Sequence, residues 1–251
     1  NGFTIAGEAT DFFPLNGGTS GANVNRLGLF SDLYYDRYSN VYYSLADRGP
    51  GGGVISYNTR VQKFSLDVDA NTGAISNFKL LDTILFTKNG ENFNGLNPTR
   101  LNGNPGILGL SFDPEGFAVA PNGNFYVSDE YGPSVYEFSS TGSFLRAFTN
   151  PNNIISTAGS TPNYTNGRPT ITSGRQDNRG FEGLTLSPDG KKLFTMLQDP
   201  LVNEGANNDG RRSRNLRIVE YDTATGESTA QYIYQLEALA DINARIPGTA
   251  D

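Results

Sequence analysis

Six carboxylates occupy matching places in three similar stretches of this chain, and a reaction could be organised around them. Asp32, Glu115 and Glu182 each open a short apolar segment, and Asp47, Glu130 and Asp199 each follow the next one. Asp32 and Asp47 stand 15 residues apart, Glu115 and Glu130 also 15, and Glu182 and Asp199 17. A hairpin of that length returns to its origin, so its two acids should lie side by side. Crowded carboxylates repel one another and hold their protons unless a cation or a guanidinium neutralises them. The chain contains no His and no Cys. Imidazole bases, Ser-His triads, disulfides and thiolate or imidazole metal sites are therefore excluded. Ligation by oxygen alone favours Ca2+, with Mg2+ the alternative. The same acids also have a structural reading, in which each accepts backbone N–H bonds at its own strand end and no ion is shared.

Arginines accompany the acids. Arg26 and Arg179 lie just upstream of opening segments, Arg48 sits inside Asp47-Arg48-Gly49-Pro50, and Arg211, Arg212 and Arg214 fall in a later loop. Guanidinium forks suit phosphate or carboxylate, and the alternative is that they are solvated loop charges or partners of the acids. A net charge of −7 disfavours nucleic acid as a partner. No apolar run is long enough for membrane insertion. Asp67 to Gly73 superficially resembles a calcium loop, but its Gly is one place late and Phe78 stands where the Glu should be, so it is read as a hairpin turn.

The elements that would hold these acids are strands. The 251 residues include 30 Gly, 13 Pro, 13 Tyr and 16 Phe, a composition of many short strands and tight turns with little helix. In each stretch a short apolar strand, a turn and an aromatic-rich strand are followed by two further extended segments. The second pair meets at Asp69-Ala70-Asn71-Thr72-Gly73, Ser139-Ser140-Thr141-Gly142 and Asp222-Thr223-Ala224-Thr225-Gly226. Four-stranded antiparallel units repeated radially predict an all-β fold, a β-propeller. One domain over 1–251 is expected, with blades at about 27–88, 108–149 and 179–237. Gly7 to Phe13 is read as an outer strand of another blade, and Asn89 to Gly106 and Thr149 to Asn178 as long loops. Because opening strands converge near the axis of a propeller, the six acids should gather at one mouth of its channel.

Asp113-Pro114-Glu115-Gly116, Ser128-Asp129-Glu130-Tyr131-Gly132-Pro133, Asn178-Arg179-Gly180-Phe181-Glu182-Gly183-Leu184 and Gln198-Asp199-Pro200-Leu201 resemble the phytase-like family described as "esterase-like activity of phytase". Gly7-Glu8-Ala9-Thr10-Asp11-Phe12 and Ala46-Asp47-Arg48-Gly49-Pro50 are similar to its cyanobacterial members. The resemblance spans nearly the whole chain. It implies an extracellular or periplasmic propeller that hydrolyses a small phosphorylated substrate, and it matches Glu115, Asp129, Glu130, Glu182 and Asp47 to the family's acidic motifs. The family usually continues into a further blade with an acidic-Arg motif. Here such a blade would begin at Asp241-Ile242, so a C-terminal blade is expected to be missing from the ring.

The resulting expectation is a calcium-dependent phosphoric-ester hydrolase. Asp47, Glu115, Asp129, Glu130, Glu182 and Asp199 would be its metal ligands, Glu115, Glu130 and Glu182 its working acids, and Arg48 and Arg179 would stabilise developing charge. Two alternatives stand beside it. One is a non-catalytic extracellular propeller with a structural cation, binding glycans, proteins or copies of itself; the other is a lactonase-like hydrolase of the gluconolactonase type.

Overall fold

The computed structural model of the chain describes residues 7–8, 10–15, 27–205, 207 and 209–248. Strands β1 (Gly7–Glu8), β2 (Asp32–Asp36), β3 (Val41–Leu45), β4 (Arg60–Val68) and β5 (Ile75–Leu85) form one sheet in the order β1-β5-β4-β3-β2. The last four make an antiparallel meander, whereas β1 joins β5 in parallel, with Gly7 opposite Phe78. The N-terminal segment therefore adds a fifth strand to the first blade, not an outer strand to another one. Asp11 fixes it there: its buried carboxylate accepts hydrogen bonds from Arg60 Nη1 at 3.0 Å and Gln62 Nε2 at 2.8 Å, both on β4.

The stretch after the first blade is more ordered than a long loop. It holds a hairpin of β6 (Thr87–Lys88) and β7 (Glu91–Asn92) turning on Asn89 and Gly90, both at positive φ. A short helix α1 (Pro98–Asn102) follows, capped by the Asn97 side chain on Arg100 N, with Pro98 at its start and Gly103 at φ 69° after it. These are local turn and cap signals with no periodicity, so a search for periodic patterns passes over them.

The second blade contains β8 (Pro114–Val119), β9 (Phe125–Asp129), β10 (Ser134–Phe138) and β11 (Phe144–Ala147). A small hairpin of β12 (Thr157–Ala158) and β13 (Thr161–Pro162) interrupts the next connection. The third blade is β14 (Phe181–Leu186), β15 (Lys192–Leu197), β16 (Asn215–Asp222) and β17 (Ser228–Gln235). Helix α2 (Leu239–Arg245) then covers Asp241-Ile242, where the sequence suggested the start of another strand. The Asp67–Gly73 segment is a hairpin turn, in which Asp69 accepts from Asn71 N, Thr72 N and Thr72 Oγ1.

Alternation along the strands makes these sheets propeller blades. On β9, Phe125 and Val127 pack with Leu45, Val61 and Phe86 of the first blade. Between them Tyr126 points the other way, into a cluster with Phe181, Leu193, Val219 and Tyr221 of the third. Each fully buried ring or branched side chain contributes about 1.5–3 kcal/mol. The inner strands β8 and β14 also touch directly at Gly116. A Cβ there would lie 2.5 Å from both Glu182 O and Ser128 Oγ. Ser128 Oγ instead accepts from Gly116 N at 2.9 Å and donates to Glu182 O at 2.8 Å, stitching the two blades at the axis.

Candidate functional site

Glu115 and Glu182 sit in matching irregularities of their inner strands. Pairing of β8 with β9 passes from Pro114 opposite Asp129 to Phe117 opposite Val127, three residues against two. Pairing of β14 with β15 passes likewise from Phe181 opposite Leu197 to Leu184 opposite Thr195. Glu115-Gly116 and Glu182-Gly183 thus occupy equivalent β-bulges, which re-aim side chains out of the pleat. Strand β2 pairs with β3 without a shift. Its Asp32 carboxylate accepts from Phe117 N and Leu33 N, each at 2.7 Å. Asp32 therefore does what the structural reading asked of it and joins the first blade to the second.

All three blades contribute to an acidic cup at the bulges. Carboxylate oxygens of Asp47, Asp113 and Glu115 lie within 4.8 Å of one another. Asp47 follows β3 and accepts from Gly49 N at 2.8 Å, which fixes its turn. Asp113 is fully buried and accepts from Arg48 N at 3.0 Å and from Arg48 Nη1 at 2.6 Å. The same Nη1 reaches Glu130 Oε2 at 3.3 Å and donates to Asn178 Oδ1. Glu130 N donates to Asp113 O at 2.9 Å, tying the end of β9 to the start of β8. Gly180 packs on the Glu130 carbonyl, where a Cβ would come within 2.0 Å of the oxygen.

Burial and repulsion act together on these acids. Burial first, then the charges of Asp113, Glu182, Glu130 and Asp47, push Glu115 up to about 10. Glu130 rises to about 9 through burial and then Asp113, with Arg48 opposing. Burial also raises Asp113 against the pull of Arg48. Glu182 rises through burial and then Asp113, with Arg179 and Arg48 opposing. Arg48 pairs with Asp113 and Glu130, and among the described residues no cation forms an ion pair with Asp47, Glu115 or Glu182. Such a cup retains protons or takes up a cation.

The other expected site residues lie elsewhere. Asp129 is buried beneath the cup, and four donors already fill its oxygens: Asp113 N, Tyr131 N, Gly132 N and Ser134 Oγ. It shapes the loop that carries Glu130 instead of facing an ion; burial pushes it up to about 6 while those bonds hold it down. Asp199 pairs with Arg179 Nε at 3.3 Å on the rim. Backbone pairing explains its displacement. Gln198 N bonds Gly180 O as Glu130 N bonds Asp113 O, so Gln198 holds the place equivalent to Glu130 and Asp199 stands one residue beyond. Arg179, 45% exposed, also donates to Gln198 Oε1 at 2.9 Å. Arg211 pairs with Asp209, and Arg26 lies outside the described residues. Asp113 and Asn178 are cup residues that the repeat spacing missed, although both belong to the motifs around Glu115 and Arg179.

A sequence profile of the phytase-like family, described as "esterase-like activity of phytase", matches residues 25–250. The chain belongs to this family. A relative from Arthroderma benhamiae, described as an uncharacterized secreted protein, is 33% identical over 85% of this phytase-like chain and 50% of its own length. The chain thus spans about half the length of that relative. Similar solved structures include a luciferin-regenerating enzyme, with a TM-score of 0.35 and 14% identity over 86% of this chain and 47% of its own. A putative 6-phosphogluconolactonase from Bacteroides uniformis aligns at a TM-score of 0.33 with 14% identity, covering 84% of this chain and 57% of its own. No described helix of the phytase-like chain is long and apolar enough to cross a membrane.

Proposed function

We propose that this chain is an extracellular phosphoric-ester hydrolase working through its carboxylate cup, with calcium ahead of magnesium held by Asp47, Asp113 and Glu115. The observation that carries the reading is the convergence of these acids, with Glu130, Glu182 and Arg48 around them, where the three blades meet. The donor set fits the ion: all its ligands are oxygen, and two oxygens opposite each other on one calcium are about 4.6–5.2 Å apart, against the 4.8 Å within which these three lie. The family description supports ester hydrolysis, and the secreted relative supports an extracellular location.

When bound, the ion would supply Lewis acidity towards a phosphoryl oxygen and acidify a water molecule. The chain's own residues do the rest. Arg48 holds Asp113 and Glu130 in position through one nitrogen. Without histidine, Glu130 and Glu182 are left to accept a proton from water and to return one to the leaving oxygen. Arg179, at the rim and half exposed, holds Asp199 through Nε and Gln198 through Nη1 and keeps Nη2 for the incoming phosphate.

The test is hydrolysis of a phosphomonoester, a phosphodiester, a carboxyl ester and a lactone, in chelator and after calcium is restored. Phosphoester turnover should disappear in chelator, return with calcium, and fall about 100-fold or more in Glu115→Gln. Full turnover in both chelator and the variant would refute the reading. Carboxyl-ester or lactone turnover above that of phosphoesters would replace its substrate.

A further inference from the structure

The outermost strands of the three blades differ in how their free edges are protected. The last strand of a sheet presents unpaired N–H and C=O groups to any passing strand, and charge, brevity or a covering segment blunts that edge. Strand β5 carries Lys79 and Asp82 and is joined by β1. Strand β11 has only four residues and carries Arg146, which bonds Glu137 at 2.7 Å and also donates to the carbonyls of Thr223 and Ala224. Strand β17 has none of these defences. Its eight residues, Ser228–Gln235, include no charged side chain, no Gly and no Pro. Ser228 N reaches Thr149 O at 3.3 Å, and beyond that bond no strand among the described residues pairs with the outer edge.

Tyr232, Ile233 and Tyr234 on this strand are 47%, 51% and 55% exposed. Alternation puts the two tyrosines on one face of the sheet and Ile233 on the other. A partner lying on either face would leave the apolar group of the opposite face in water. A strand added to the edge covers both, because its own side chains flank each face. The chain already contains one such addition, since β1 extends the first blade by pairing with β5.

We infer that β17 is a self-association edge, at which two copies of the chain pair their β17 strands antiparallel about a two-fold axis. Neutrality selects a second copy: in a chain of net charge −7, this strand lets two identical surfaces meet without setting like charges against each other. Two-fold pairing places one residue opposite itself, and with Ile233 there Tyr232 faces Tyr234 and Gln231 faces Gln235. Aromatic cross-strand pairs of this kind are favourable. Moving the axis to Tyr232 would instead bring Glu227 against Glu237. Each half-exposed tyrosine keeps on the order of 100 Å² in water. With Ile233 and the backbone, the two copies together bury roughly 1,000 Å², the size of a weak, reversible dimer with a dissociation constant on the order of 10–100 μM. The contact is isologous and uses up the edge, so growth stops at two copies. Strand β17 is the outermost of its blade and β14, with Glu182, the innermost, so the pairing is independent of the cup.

The experiment is sedimentation equilibrium in chelator, from about 1 μM to about 1 mM chain, on wild type, Ile233→Lys, Ile233→Glu and Leu33→Lys. The last places the same charge on the exposed face of the first blade. Wild type and Leu33→Lys should pass from monomer to dimer across this range. Each Ile233 variant alone should lose about tenfold or more in affinity, because identical charges would face each other at the axis. An equimolar mixture of the two should recover the dimer, because there the facing charges are opposite. That recovery also shows both variants to be folded. Monomeric wild type at the highest concentration, growth beyond the dimer, a dimer unaffected by Ile233→Lys, loss confined to Leu33→Lys, or no recovery in the mixture would each overturn the assignment.

Discussion

Replacing Glu115 by Gln should stabilise the cation-free protein at neutral pH, although the same change should abolish turnover. The carboxyl ordinarily titrates near 4.5 and in the fold is pushed up to about 10. Above 4.5 the unfolded chain gives up this proton while the folded chain keeps it. Stability linked to the group is therefore complete below 4.5 and is lost progressively as pH rises towards 10. Each pH unit crossed corresponds to about 1.4 kcal/mol, so the loss by pH 7 has an upper bound of about 3 kcal/mol. The cup opens to solvent, and water halves that figure to roughly 1.5 kcal/mol, or about 3–6 °C in Tm for a chain of this size. Gln keeps the shape and cannot ionise. Melting curves in chelator from pH 5 to pH 9 should accordingly fall less steeply for Glu115→Gln than for wild type and lie above them, by about 3–6 °C at pH 7. Calcium at 100 times its Kd should add about 2.7 kcal/mol to wild type and markedly less to the variant. Parallel melting curves in chelator, or a variant less stable than wild type at pH 8, would show that the cup is not the site of this repulsion.

Arg48→Met should be the reverse case, losing turnover and about 3 kcal/mol of stability, because it leaves Asp113 and Glu130 buried without their partner. Chemical denaturation alongside the ester assay checks it, and Arg48→Lys should restore part of the stability but little turnover, since it keeps the backbone bond to Asp113 and the charge but loses the planar guanidinium that sets Asp113, Glu130 and Asn178 around one nitrogen. Gly116→Ala should cost about 1–3 kcal/mol, since its methyl would meet Glu182 O and Ser128 Oγ at 2.5 Å. A Tm equal to wild type would mean that β8 and β14 do not meet at this point.

Much of this arrangement was legible in the sequence, and the parts that were not have physical causes. Turn residues and period-two alternation marked the strands, and equal hairpin spacings brought Asp47, Glu115 and Glu130 to one end. A bulge leaves little trace in composition, so nothing separated Asp32, in a regular pleat, from Glu115 and Glu182. Glycine directly after both glutamates was the available sign. Neighbouring residues on an extended chain face opposite ways. Asp129 and Glu130 were therefore bound to part company, and only the hydrogen bonds show which of them turned inward. The same alternation moved Asp199 to the rim, because a register fixed by Gln198 overrides an acid that merely aligns with Glu130 by eye. Asp113 escaped notice because it precedes Pro114 and looks like the lead-in to a strand.

The cup draws on every blade, and that fact couples its charge to the packing. Asp47 and Arg48 come from the first blade, Asp113, Glu115 and Glu130 from the second, and Asn178 and Glu182 from the third. Repulsion among the acids therefore acts across the blade interfaces, not within any one sheet. It is greatest at the axis, where Gly116 leaves no space between β8 and β14 and Ser128 is the bridge. The aromatic clusters lie further out and pull the blades together, with Phe117 and Phe125 on one side of the second blade and Tyr126 and Phe148 on the other. A cation bound by Asp47 and Glu115 would link the first blade to the second directly and offset the charge that Glu182 of the third exerts on Glu115. On the proposed reading, metal binding and blade docking would be a single equilibrium. The stabilisation calcium provides should be carried by the bonds between inner strands, while the hairpins of each blade would be as stable without it.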